Sequence, residues 1–247
     1  MNAFIITTLA GLSTVLGSFL IFLKRKPETI LNKSLSFASG VMFSISIFDL
    51  IPTSYEMISK TYYLIPTILL VAIFFLIGMI FSIAIDKYLP QETKHLDSKL
   101  YTVGIISCIA IILHNIPEGI ITYITSSQNL KLGIHLAIAI ALHNIPEGIS
   151  ISVPIYYSTK NKKKAFTYTI LSGMSEPLGA LIAYFFLAPF VTDFIMGILY
   201  AIIGGIMIQI STQELLPQAL SYKKRKETIL FFLLGSGFMI VQHFIFG

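Results

Sequence analysis

The sequence predicts an all-α integral membrane protein of eight transmembrane helices, built as a 3+2+3 inverted-repeat bundle with both termini extracytoplasmic. Three observations carry this. Only 12% of the 247 residues are charged and 55% are hydrophobic, with a mean hydropathy of +0.82, whereas a soluble domain carries about a quarter charged residues. The apolar residues fall into eight runs near the ~20 residues a spanning helix needs. The basic residues collect in alternate loops, a topology signal.

The expected spans are 3–23, 34–54, 64–85, 100–124, 131–157, 165–188, 190–213 and 228–246, a single transmembrane domain over 1–247. The first has the length of a signal peptide, but no basic residue precedes it, and Lys24, Arg25 and Lys26 follow it. That order predicts a retained helix with its N-terminus outside. The spans are separated by Lys24–Lys33, Tyr55–Tyr63, Asp86–Lys99, Thr125–Lys131, Ser158–Lys164, a tight turn near Pro189, and Ser221–Glu227. The odd-numbered loops hold 15 of the 17 Lys and Arg residues; the even ones hold Lys60 and Lys131. Cytoplasmic loops attract Lys and Arg, so the odd loops face the cytoplasm.

Composition excludes other classes. A single cysteine, Cys108, rules out an intrachain disulfide and a thiolate metal cage. The net charge of +5 is spent on short loops, so no nucleic-acid partner is expected; the partners are the bilayer and a cation.

The hexapeptide His-Asn-Ile-Pro-Glu-Gly occurs at His114–Gly119 and again at His143–Gly148, 29 positions apart. On a helix, positions i and i+4 share a face, so each copy sets an imidazole and a carboxylate side by side, a pair that suits one divalent cation. Each His lies about 18–20 Å from the start of its span, near mid-membrane. Span six adds Glu176 at similar depth, and Asn115, Glu118, Asn144 and Glu147 complete the constellation. Three carboxylates at one depth repel strongly unless a cation sits between them. Ionisable groups at that depth mark substrate paths. Pro117 and Pro146 lack an N–H and free the carbonyls of Leu113 and Leu142 beside the ligands. Imidazole with carboxylate suits Zn²⁺, Fe²⁺, Mn²⁺ or Co²⁺, and the lack of thiolate argues against Cu⁺.

A second repeat is inverted. Residues 40–52 align without gaps on residues 205–217, pairing Gly40 with Gly205, Met42 with Met207, Asp49 with Glu214 and Pro52 with Pro217. Five spans separate the copies, so they cross in opposite directions. Inverted repeats are a transporter signature, with the site near the midplane. Asp49 falls toward the outer mouth and Glu214 toward the inner, where either can draw cations along the pathway. His135 and His243 read as hydrogen-bonding partners of neighbouring helices, Cys108 and Met174 as packing.

The two hexapeptides, followed by Ser172-Gly-Met-Ser-Glu176-Pro177, resemble the signature helices of the ZIP family of divalent-metal transporters, nearest to its bacterial zinc-uptake subgroup. The resemblance covers all eight spans. It implies a bundle, commonly a homodimer, that imports zinc and related ions (iron, manganese, cobalt, cadmium) as substrate and not as cofactor. It also implies a two-metal site. His114, Glu118, His143 and Glu147 would form the first centre; Asn115, Asn144 and Glu176 the second, with Glu118 and Glu147 bridging. Asn144 stands where some members carry Asp, which leaves the second centre one charge poorer. The third loop holds only His95, which speaks against metal sensing by a His-rich loop.

The alternative function is an intramembrane metal-dependent hydrolase using the same ligands to activate water. No His-Glu-x-x-His motif is present and no nucleophile stands out, so a non-enzymatic transporter is expected. A metal-sensing receptor would need a soluble output domain, for which the apolar runs leave little chain.

Overall fold

The computed structural model describes residues 2–22, 26–88 and 96–246, without the side chains of positions 27, 85–88, 96–100, 103, 110, 114, 188, 242, 245 and 246. Among the described residues there is no strand. The helices are α1 (Asn2–Gly17), α2 (Pro27–Ile45), α3 (Ile51–Ser59), α4 (Leu64–Tyr88), α5 (Leu96–Gln128), α6 (Leu130–Thr159), α7 (Lys162–Gly173), α8 (Ser175–Ile182), α9 (Asp193–Gln209), α10 (Leu216–Ser221) and α11 (Arg225–Phe246). Short 3₁₀ and π segments join several of these end to end. Seven helical stretches among the described residues are long and apolar enough to cross a membrane: Asn2–Phe22, Glu28–Ser59, Leu64–Ala84, Gly104–Gln128, Leu130–Thr159, Lys162–Leu187 and Asp193–Ser221. The eighth expected span coincides with α11.

Most helices run past the expected ends. The second starts at Pro27, a residue preorganised for the first helical position, and continues through Ser59. Charged residues such as Glu28 and Lys33 therefore sit on helix, because a helix can leave the hydrocarbon without unwinding. The expected loop Thr125–Lys131 shrinks to Asn129, whose side chain caps α6 by accepting from Lys131 N at 3.1 Å and Leu132 N at 3.2 Å. Asn161 caps α7 the same way through Lys164 N at 3.0 Å, just after Lys160 closes α6 in the left-handed region at φ 53°. Of the expected loops, Lys24, Arg25 and positions 89–95, with His95, lie outside the described residues.

The loops group as the charge pattern requires. Lys60 pairs with Asp193 at 3.0 Å, joining the second loop to the start of span seven. Lys33 pairs with Glu227 at 3.5 Å, Lys162 lies 4.4 Å over the Phe22 ring and Lys164 4.4 Å over the Tyr101 ring. On the odd-loop side these contacts tie span two to span eight, and span six to spans one and four.

Helix α6 is the most enclosed element. It packs against α1, α2, α5 and α7, while α4 leans on α9 and α11 on α2. The outward wall of α4, with Ile65, Ile68, Ile73, Leu76 and Ile80 exposed, is what a lipid-facing helix shows. Where backbones cross closely, glycine stands, as expected of membrane helices, and the crossings come in matched pairs. A Cβ on Gly40 would meet the Phe232 carbonyl carbon at 2.9 Å, and one on Gly205 that of Phe75 at 3.0 Å. Gly78 stands against Ile202 at 2.8 Å as Gly235 stands against Phe37 at 3.1 Å. Gly119 meets Glu176 at 2.8 Å as Gly148 meets Thr14 at 2.8 Å; Gly17 meets Ile149 N at 2.7 Å as Gly179 meets Ile120 N at 3.0 Å. The partners differ by constant offsets: 162 between spans one and six, 165 between two and seven, 157 between three and eight, 29 between four and five.

The aligned segments 40–52 and 205–217 also share a local irregularity. A π turn runs over Ser46–Leu50 and another over Ile210–Leu215, carrying Asp49 and Glu214 respectively. Such turns insert one extra residue and often mark functional positions.

Candidate metal site

The ligands are brought together by α5, α6 and α8. Pro117 and Pro146 are accommodated inside unbroken helices, so each copy keeps its i, i+4 face. Span six breaks at Met174. Pro177 offers no N–H to the Gly173 carbonyl, and α8 restarts with Glu176 in its first turn. Glycines let these helices close up: Gly119 of α5 lies against the Glu176 backbone, and Gly148 of α6 against that of Thr14 in α1.

The result is a polar cluster deep in an apolar body. Asn115, His143, Asn144 and Glu176 are fully buried, and Glu118 and Glu147 are 1% exposed. His143 Nε2 reaches across from α6 to Glu118 of α5, 3.3 Å from Oε1 and 3.4 Å from Oε2. Asn144 Nδ2 donates to Glu176 Oε1 and, at 3.1 Å, to the Ala10 carbonyl of α1. Of the seven expected ligands, the structure thus joins His143 to Glu118 and Asn144 to Glu176. The side chain of His114 lies outside the described residues.

Several buried polar atoms of the cluster have no hydrogen-bond partner among the described residues: Asn115 Oδ1 and Nδ2, Asn144 Oδ1 and Glu176 Oε2. Leaving such groups unsatisfied in an apolar interior costs roughly 1–3 kcal/mol each, more for a charged one. An oxygen- and nitrogen-rich cluster of this kind suits a divalent cation, which would satisfy the oxygens and offset the crowding of Glu118, Glu147 and Glu176.

Asp49 stands apart from this cluster, and Glu214 lies in the π turn of span seven. Asp49 Oδ1 is instead 2.7 Å from His243 Nδ1 and 3.7 Å from His135 Nε2, so the expected hydrogen bond to a neighbouring helix is seen for His243, while His135 approaches the same carboxylate beyond hydrogen-bond range. That they converge on the same carboxylate was missed. The usable signal was depth: all three lie near the same end of spans two, five and eight.

The chain matches the family model described as ZIP zinc transporter over residues 90–242. It is 40% identical to zinc transporter ZupT of Streptococcus mutans, covering 99% of this chain and 97% of that protein. It is 36% identical to zinc transporter ZupT of Campylobacter jejuni, over 99% and 96%, and 38% identical to that of Chlorobium luteolum, over 97% and 96%. With the signature helices converging as they do, this chain is a multi-pass membrane protein that belongs to the ZIP family of metal transporters.

Proposed function

We propose that the chain imports zinc into the cytoplasm through a two-metal site at the membrane midplane, held by His114, Asn115, Glu118, His143, Asn144, Glu147 and Glu176. The observation that carries the reading is the set of fully buried polar atoms on Asn115, Asn144 and Glu176 that lack hydrogen-bond partners among the described residues. The relatives are named zinc transporters. Ligand chemistry extends the range to Fe²⁺, Mn²⁺, Co²⁺ and Cd²⁺. Nothing specific favours the hydrolase alternative.

The matched glycine crossings support a pseudo-twofold axis relating spans one to three with six to eight around the central pair. The same reading puts both termini outside. One packing breaks the symmetry: α2 lies along α6, whereas the matching packing of α9 on α5 is slight. Exchanging the two would open the midplane site to the opposite side, which is alternating access in an inverted-repeat carrier. Pairing of two copies belongs to the same proposal, with the exposed wall of α4 as an available apolar surface.

The test is uptake of radioactive Zn²⁺ by proteoliposomes containing the purified chain, in competition with the other four ions. Saturable uptake is expected, with competition by ions of the same ligand preference. Absence of uptake refutes the transport reading, and uptake that rises linearly with concentration refutes the carrier mechanism.

A further inference from the structure

The π turn at Ser46–Leu50 places Asp49 against two imidazoles from other spans. Its Oδ1 is 2.7 Å from His243 Nδ1 of α11 and 3.7 Å from His135 Nε2 of α6. One ligand atom from each of the three lies within 4.8 Å of the others. In a tetrahedral zinc site, with ligand bonds of about 2.0–2.1 Å, ligand atoms sit about 3.3 Å apart. The two measured separations bracket that value, so small rotations would complete the geometry and leave a position for water.

We propose that Asp49, His135 and His243 form a separate mononuclear capture site for a divalent transition metal at the outer mouth, upstream of the midplane site. The proposal rests on the import reading above. The side chains are 17%, 13% and 40% exposed, and they lie at the ends of spans two, five and eight that the loop charges assign to the outside. His135 and His143 share α6 eight residues apart, which puts the capture site about 12 Å above the midplane ligands. Lys131 lines a small surface pocket with His135. The mouth is therefore no simple acidic funnel, and its affinity comes from imidazole, which favours Zn²⁺ over Ca²⁺ or Mg²⁺.

The fold supplies an internal control. Under the offsets of the paired glycine crossings, Asp49, His135 and His243 correspond to Glu214, Ile106 and Asp86. In sequence the matched positions carry two carboxylates and an isoleucine, with no imidazole. Among the described residues such a three-ligand cluster occurs at this end only, as a device for collecting metal on one side requires.

The experiment is equilibrium binding of Zn²⁺ alone to the purified full chain. The native protein, His135→Ala, His243→Ala and the double variant are compared, each also in a Glu147→Ala background. We expect the double variant to bind one equivalent of Zn²⁺ fewer in both backgrounds, and excess Ca²⁺ or Mg²⁺ not to displace the ion. In the Glu147→Ala background, bound Co²⁺ should give the absorption of a tetrahedral His/carboxylate centre, which falls in His135→Ala even where the Asp49–His243 bond keeps the fold. Equal zinc counts in native and double variant, with both monodisperse, overturn the proposal. So does displacement by Ca²⁺. A Glu147→Ala background that leaves the count unchanged counts against the midplane site, not this one.

Discussion

The close crossing of α5 and α8 makes Gly119→Ala a direct test of how the site is assembled. A Cβ at Gly119 would stand 2.8 Å from both the Glu176 Cα and its carbonyl carbon, and closer still to the carbonyl oxygen, where ordinary contact begins at 3.4 Å. The obstacle is backbone and cannot rotate away. The two helices must part by more than half an ångström. Overpacking of this kind destabilises by about 1–3 kcal/mol, against roughly 0.5–1 kcal/mol regained from replacing a helical glycine, so the steric effect wins. The larger consequence is functional: Glu118 and Glu176 ride on the two helices being pushed apart, and a misplacement near 1 Å can lower a rate by about a hundredfold. Gly237 is the control, since nothing lies within 4 Å of a Cβ there, and Gly237→Ala should hold or slightly raise thermal stability. Proteoliposome uptake and detergent-solubilised melting temperature measure both effects. We expect Gly119→Ala to insert but transport at least ~10-fold more slowly than Gly237→Ala. Equal rates and equal melting temperatures would refute the close-packed site.

Three further outcomes follow from the same geometry. Glu147→Ala removes a carboxylate beside His143 and should abolish uptake with normal membrane insertion; undiminished uptake would remove Glu147 from the pathway. Asn144→Asp replaces the amide that donates to Glu176 and the Ala10 carbonyl with a second carboxylate. At about 4 Å and an effective dielectric constant near 20 the repulsion approaches ~4 kcal/mol, which metal binding relieves, so zinc affinity should rise and maximal rate fall; if neither changes, Asn144 is a bystander. Cysteines introduced within Lys160–Lys164 should react with an impermeant reagent only in permeabilised cells, and labelling of intact cells would reverse the assigned orientation.

The long apolar helices and their central motif pair were legible because each is written in local pattern: apolar run, spacing, loop charge. Helix ends were not. Glu28 and Lys33 read as loop residues, yet helix tolerates charge once it leaves the hydrocarbon. The π turns around Asp49 and Glu214 were also invisible, since an inserted residue changes hydrogen bonding without changing composition. Convergence was the hardest part. His135 and His243 are 108 residues apart, and their meeting at Asp49 depends on how spans two, five and eight are packed. The partnership of Asn144 with Glu176 was expected only as shared membership of a metal centre; the structure adds that the amide also ties both to α1 through Ala10.

The paired crossings also identify which half of the site is incomplete. With an offset of 162, Glu176 corresponds to Thr14, and Ala10 to Ser172. Asn144, matched by Asn115, finds a carboxylate on α8 and a carbonyl on α1. Asn115, turned toward the opposite half, would find Thr14 in place of a carboxylate, and both its amide atoms lack a partner among the described residues. Thr14 instead donates to the Gly11 carbonyl at 2.7 Å and is fully buried. The proposed metal cluster thus pairs Asn115 with Asn144 and Glu118 with Glu147, biased toward α8 by one carboxylate, Glu176. Moving that carboxylate should move the bias. Glu176→Ala is expected to lose zinc affinity, and adding Thr14→Glu should restore a substantial part of it by giving Asn115 the partner that Asn144 has now. The readout is zinc binding to purified protein, which does not require the rescued variant to transport. A double variant that folds, inserts and binds no more zinc than Glu176→Ala alone would show that the glycine crossings repeat without the ligand geometry repeating with them.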